Sequence, residues 1–135
     1  MRINYLALII AAAVHWILGG AWYGIFSNTF SGFIGDEKMK ELGARSEAMA
    51  FILAFVSSLI LAYLLARFLH YSEAKSAIDG LKTVFLLWLG LIATTQLLTV
   101  LFEGRHFGLY VLNIGYQLVG CSAAALILVV WKPRP

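Results

Sequence analysis

The stretch AFILAFVSSLILAYLLA, residues 50–66, decides the class of this chain. It carries no charged residue, and its only polar groups are Ser57, Ser58 and Tyr63. Extended to Ser46–Phe68 it is long enough, at about 1.5 Å per helical residue, to cross a hydrocarbon layer about 30 Å thick. Three further runs have the same character: Asn4–Phe26, Leu81–Phe102 and Phe107–Trp131. Of the 135 residues 61% are hydrophobic and 13% charged, more apolar surface than a soluble domain of this length has interior to hide. Lipid offers no water to unpaired backbone groups, so such runs are expected as helices, and their even spacing argues against the short alternating strands of a barrel. The expectation is an all-α integral membrane four-helix bundle, a single transmembrane domain over residues 1–135.

The first run follows Arg2 and contains the small residues Ala11, Ala12 and Ala13, which superficially resembles a cleaved leader. It continues through Trp16, Trp22 and Tyr23, too long and too aromatic for one, and is therefore read as a span. With four crossings both termini lie on one side. That side holds Arg2, Arg67, Lys75, Lys82, Lys132 and Arg134, against Lys38, Lys40, Arg45 and Arg105 on the other, which favours cytoplasmic termini in a bacterial inner membrane. The net charge of +3 thus speaks of topology; no basic run interleaved with aromatics points to nucleic acid. The lone Cys121 excludes an intrachain disulfide.

Among the connections, Ser27–Arg45 is the longest, and within it Asp36 is placed to cap a short helix that Gly43 ends. Phe26, Phe30, Phe33 and Ile34 are expected at the membrane interface. Ser76 and Asp79 have capping-box spacing, so the third helix is drawn back toward Ser76. The connection EGRH, residues 103–106, forces the third and fourth helices to be antiparallel neighbours.

Small residues mark the packing faces. Ala50, Ala54, Ser58, Ala62 and Ala66 recur every four residues on the second helix, as do Ala7, Ala11, His15 and Gly19 on the first. Gly20 and Gly24 form a further GxxxG, one position round. By helical rise His15 lies about 17 Å and Ser58 about 15 Å above the inner helix ends, so the two stripes are expected to pack with His15 hydrogen-bonded to Ser58 or Ser57. No second histidine, cysteine or intramembrane carboxylate stands at ligand spacing from His15, and no metal or other cofactor is expected.

Polar residues within spans are costly and therefore informative. Gln96, Thr99 and Glu103 share one face of the third helix; His106, Tyr110, Asn113 and Gln117 share one face of the fourth, with Tyr116 beside them. Gln96 and Gln117 both lie about 21 Å above the inner end, and Thr99 and Asn113 about 26 Å. Two readings follow: hydrogen bonding between the helices, or a polar pocket in the outer half of the bundle with Trp22 and Tyr23 at its mouth. Trp22, Tyr23 and Trp131 also fit interfacial belts.

The segments NYLALIIAAAVHWILGGAWYGIF and WLGLIATTQLLTVLFEGRHFGLYVLNIGYQLVG are the most distinctive of the chain. Through Gly-x-x-Trp-Tyr at residues 19–23 and the block from Thr94-Thr95-Gln96 to Asn113-x-Gly115-Tyr116, the chain resembles the domain of unknown function 1761 family of small bacterial four-helix membrane proteins. The resemblance implies the four-helix architecture and no reaction, substrate or partner. The family often has a histidine at the position of Gln117 and an apolar or small residue at that of His15, so neither is a fixed part of a family pattern.

The leading functional expectation is a non-enzymatic binding or transport module whose pocket of Gln96, Thr99, Asn113, Tyr116 and Gln117, with Trp22, Tyr23 and His15, takes a small or lipidic ligand. The alternative is a structural or regulatory membrane protein that meets a second copy of itself through Gly19, Gly20, Gly24, Ala50, Ala54, Ser58 and Ala62. Catalysis is disfavoured, since Ser58 near His15 is the nearest approach to a nucleophile and base, and no acidic residue stands to orient them. Besides such a copy, the partner expected is the lipid bilayer.

Overall fold

The structure is a computed structural model that describes residues 3–35, 37, 40 and 47–131. Its elements are α1 (Tyr5–Ile25), the short α2 (Ser27–Ile34), α3 (Glu47–Tyr71), α4 (Ala77–Glu103) and α5 (Phe107–Val130). The described residues are helical without strands, and α1, α3, α4 and α5 are long and apolar enough to cross a membrane. Asp36 and Gly43, invoked as the ends of a loop helix, lie outside the described residues, as do Arg2, Lys38, Arg45, Lys132 and Arg134 of the charge comparison.

Local chemistry fixes the helix ends. The Asn4 side chain accepts from the Ala7 amide at 3.2 Å and caps α1. Ser76 accepts from the Asp79 amide at 3.2 Å, so α4 begins at Ala77, a turn before its apolar run. Gly104, at φ 67, takes the left-handed conformation that ends α4 and lets the chain turn directly into α5. At the opposite end the Asn4 amide reaches the Trp131 carbonyl at 3.4 Å, which ties the start of α1 to the end of α5.

Two features depart from the sequence expectation. Residues 27–34, assigned to a loop, form α2 against the start of α5. Phe33 stacks on the His106 ring at 4.4 Å, and Phe30 meets Tyr23 edge-on at 5.4 Å, so aromatic packing holds a segment whose composition is that of a loop. Within α4, Trp88–Ala93 widens into a π-helical turn. Side chains take up carbonyls there: Thr94 Oγ1 donates to Gly90 O at 2.6 Å, Thr95 Oγ1 to Leu91 O, and Tyr110 OH to Ala93 O at 2.7 Å.

The packing is uneven. α1 lies against both α3 and α5, and α5 against the N-terminal half of α4, whereas α3 and α4 barely touch. The core mixes small side chains, Ala11 and Ala12 of α1, Ala62 of α3, and Cys121, Ala124 and Ala125 of α5, with leucines and valines such as Leu65 and Val84. Backbones approach closely there, the usual means of gaining contact between helices that have no water to escape.

Candidate functional site

At mid-height of α1 a polar cluster joins three helices. His15 Nδ1 lies 2.9 Å from Ser58 Oγ of α3, and His15 Nε2 lies 3.1 Å from Gln117 Oε1 of α5. These contacts fit the tautomer in which Nε2–H donates to the Gln117 carbonyl oxygen while Nδ1 accepts from the serine hydroxyl. The imidazole is thus held on both sides, and at 5% exposed, with Ser58 at 3%, it is closed to solvent and lipid alike.

Tyr116 completes the arrangement. Its hydroxyl donates to the His15 backbone carbonyl at 2.8 Å and lies 3.2 Å from His15 Nδ1. In a helix the side chain at i+4 leans back over the carbonyl of residue i, and here that position is Gly19. A Cβ at Gly19 would stand 2.8 Å from the Tyr116 hydroxyl, so the glycine leaves the His15 carbonyl open to a second hydrogen bond. Gly120 does the same for the ring, since its Cβ would stand 2.8 Å from His15 Cδ2.

Toward the end bearing α2, Tyr23 OH donates to Asn113 Oδ1 at 2.6 Å, and Trp22 Nε1 donates to the Leu112 carbonyl at 3.1 Å. The Tyr23 ring meets Tyr116 edge-on at 5.6 Å. Six of the eight candidate ligand residues, His15, Trp22, Tyr23, Asn113, Tyr116 and Gln117, therefore lie together along the α1–α5 seam. The other two do not join them. Thr99 Oγ1 donates to Gln96 O of its own helix at 2.6 Å, and the Gln96 carboxamide meets no hydrogen-bond partner among the described residues.

The pairing expected from equal heights on α4 and α5 is corrected accordingly: the polar face of α5 turns to α1, and the α4–α5 hydrogen bonds among the described residues are those of Tyr110 to Ala93 O and of Trp88 Nε1 to Ile114 O at 2.7 Å. Height along an axis does not fix rotation about it. Glu103, the last residue of α4, and Arg105 form an exposed ion pair at 3.3 Å.

The packing residues also divide. Ser58 and Ala62 are buried and Gly19 is covered, but Ala50, Ala54, Gly20 and Gly24 are exposed, and no atom lies within 4 Å of where a Cβ at either glycine would be. Among the described residues the small-residue contact runs through the N-terminal half of α1 and the C-terminal half of α3. Trp16, whose Nε1 donates to Phe51 O at 3.2 Å and whose ring abuts Phe55, fills the space beyond.

Sequence reasoning missed Gly120, Gly115 and Ala124, which let α5 approach α1; their signal was the four-residue spacing of Gly120 and Ala124, the same pattern that marks α1 and α3. It also missed a lateral groove of about 350 Å³ between α3 and α4, walled by residues such as Ile60, Leu64 and Phe68 on one side and Leu87 and Trp88 on the other, with Cys121 of α5 at its floor. A second cleft, about 700 Å³, lies where α1, α3 and α5 end, beside Asn4, His70 and Trp131. Neither cleft is lined by any of the eight candidate ligand residues.

Chemically the cluster is a set of mutually satisfied donors and acceptors. Among the described residues no buried side-chain nitrogen or oxygen lacks a partner, and no group of histidines, cysteines and carboxylates could hold a metal ion. Ser58 and His15 have the spacing of a nucleophile and base, but the far ring nitrogen faces an amide where an orienting carboxylate would stand.

The family model described as "Protein of unknown function (DUF1761)" matches residues 6–129. The chain belongs to the DUF1761 family. No curated protein and no solved structure matches it. The match takes in α1 through nearly all of α5, so this DUF1761 protein carries its seam, its groove and its four apolar helices within the family region.

Proposed function

We propose that this DUF1761 protein is a non-enzymatic, multi-pass membrane protein of the bacterial inner membrane, with cytoplasmic termini, that binds a lipid from within the bilayer. The observation that carries this reading is the groove between α3 and α4, apolar along its walls and open sideways where a closed bundle would have packed the two helices together. It covers Ser57 to Phe68 of α3, about 16 Å of helix, close to the roughly 15 Å of hydrocarbon in one leaflet. A single acyl chain fits such a slot in length and polarity. The hydrogen-bonded α1–α5 seam serves this function as the rigid wall behind it, and the ligand is placed in the groove instead of among the polar residues.

Mass spectrometry of gently purified protein tests the reading. Wild-type protein is expected to retain lipid, and Leu64→Trp, which puts an indole into the groove from an exposed position, is expected to lose it while staying folded. Equal retention by the two proteins would refute groove binding.

A second reading, self-association, has its own support in the uncovered Gly20 and Gly24 on α1, the exposed Ala50 and Ala54 on α3, and the unpartnered Gln96 amide on α4. It expects a lipid-free dimer that Gly20→Leu disperses.

A further inference from the structure

Next in sequence to Phe68, the last α3 residue that lines the groove, stands Arg67, a cation that the polar seam does not use. Arg67 lies four residues before Tyr71, the last residue of α3, so its Cα is about 6 Å from the helix end. For a membrane-spanning helix that is the level where acyl chain gives way to headgroup. A charge on the lipid side of a helix is costly unless it reaches this boundary, and arginine does so by extending along the surface.

Two tyrosines hold the guanidinium in place. Arg67 Nη2 donates to Tyr71 OH at 2.8 Å and Nη1 to Tyr63 OH at 3.4 Å, and its central carbon lies 5.6 Å and 5.8 Å from the two ring centroids. Phenol hydroxyls orient the fork without neutralising it. Arg67 meets no carboxylate among the described residues, so its charge and its remaining N–H donors stay available.

Arg67 is three residues from Leu64 and seven from Ile60, both of which wall the groove, and therefore rises on the same flank of α3 as that wall. Beyond Phe68 the hydrogen bond between Ser72 and Thr83, 3.0 Å long, ties the end of α3 to the first turns of α4. Arg67 does not itself line the groove; it stands next to the groove's α3 wall, and among the described residues no carboxylate pairs with it.

We propose that Arg67, Tyr63 and Tyr71 form a headgroup site for the phosphate of an anionic phospholipid, one acyl chain of which lies in the α3–α4 groove. The inference rests on the groove reading and adds to it a preference for charge. Guanidinium and phosphate match as fork to fork, and the headgroup's net negative charge meets an uncompensated positive one. A zwitterionic lipid supplies the same phosphate but carries its own ammonium, which weakens the attraction.

The test is competition between phosphatidylglycerol and phosphatidylcholine of identical chains, offered in equal amounts in detergent and read by native mass spectrometry. Wild-type protein is expected to prefer phosphatidylglycerol about tenfold, the scale of one charge-assisted contact. Arg67→Gln is expected to keep a bound lipid but lose the preference. Should Arg67→Gln fail to fold, Arg67→Lys keeps the charge and removes the fork, and its preference is expected to fall by about threefold or more. Lipid retained by wild-type protein with no preference overturns the headgroup site and leaves the groove reading standing. Preference unchanged in whichever Arg67 variant folds overturns the site as well. Loss of all lipid selectivity and retention in Leu64→Trp alone marks the groove as the common requirement.

Discussion

The two long seams that α5 and α3 make with their neighbours differ in nearly every respect. Between α1 and α5, Gly19 and Gly120 admit Tyr116 and His15 to within contact of the opposing backbone, and every polar group that enters is bonded. Between α3 and α4, Leu64, Leu87 and Leu91 line a groove, and among the described residues the Ser72–Thr83 hydrogen bond and a few contacts near Val84 join the helices toward the end of α3. In a bilayer both solutions are stable, because lipid fills an apolar gap at little cost but cannot satisfy an imidazole or an amide. The polar residues therefore close the seam that they occupy, and the seam without them stays open.

That contrast can be broken at graded points. Gly120→Leu drives a branched side chain into an imidazole that Ser58 and Gln117 hold from both sides, and is expected to cost about 3 kcal/mol or to abolish folding, measured by denaturant unfolding in micelles. His15→Ala leaves Ser58 and Gln117 without their partner and is expected to cost about 1–3 kcal/mol in the same assay. Gln117→Leu removes the hydrogen bond to His15 and the weak one from the Cys121 thiol, expected at about 1 kcal/mol together. Gln96→Leu, at similar height on α4 but with no hydrogen bond to lose, is expected to change stability by less than about 0.5 kcal/mol. Equal costs for the two glutamines would erase the distinction between the seams.

Much of the architecture was legible in the sequence for one physical reason. A hydrocarbon layer tolerates charge only at helix ends, so the spacing of charged residues marked four spans to within a few residues. The cap at Ser76 was legible because its chemistry is local. The short α2 was not, since Ser27, Asn28, Ser31 and Gly32 have the composition of a loop and its helix depends on Phe30 packing on Tyr23 of α1 and Phe33 on the distant His106 ring. The π turn at Trp88–Ala93 escaped for the same reason, as one of its carbonyls is taken by Tyr110 of another helix. The meeting of His15 with Ser58 followed from height and two small-residue stripes together. For Gln96 and Gln117 height was the only guide, and it could not say whether α5 turned its polar face to α4 or to α1.

The claim at the centre of this description is that the polar seam supports the fold while lipid is held in the apolar groove. It is tested most directly by counting the phospholipid that survives detergent washing in three proteins, wild type, Gln117→Leu and Leu64→Trp. Wild type and Gln117→Leu are expected to keep the same amount and Leu64→Trp to lose it; retention by Leu64→Trp together with loss in Gln117→Leu would contradict the assignment and return the binding site to the polar residues.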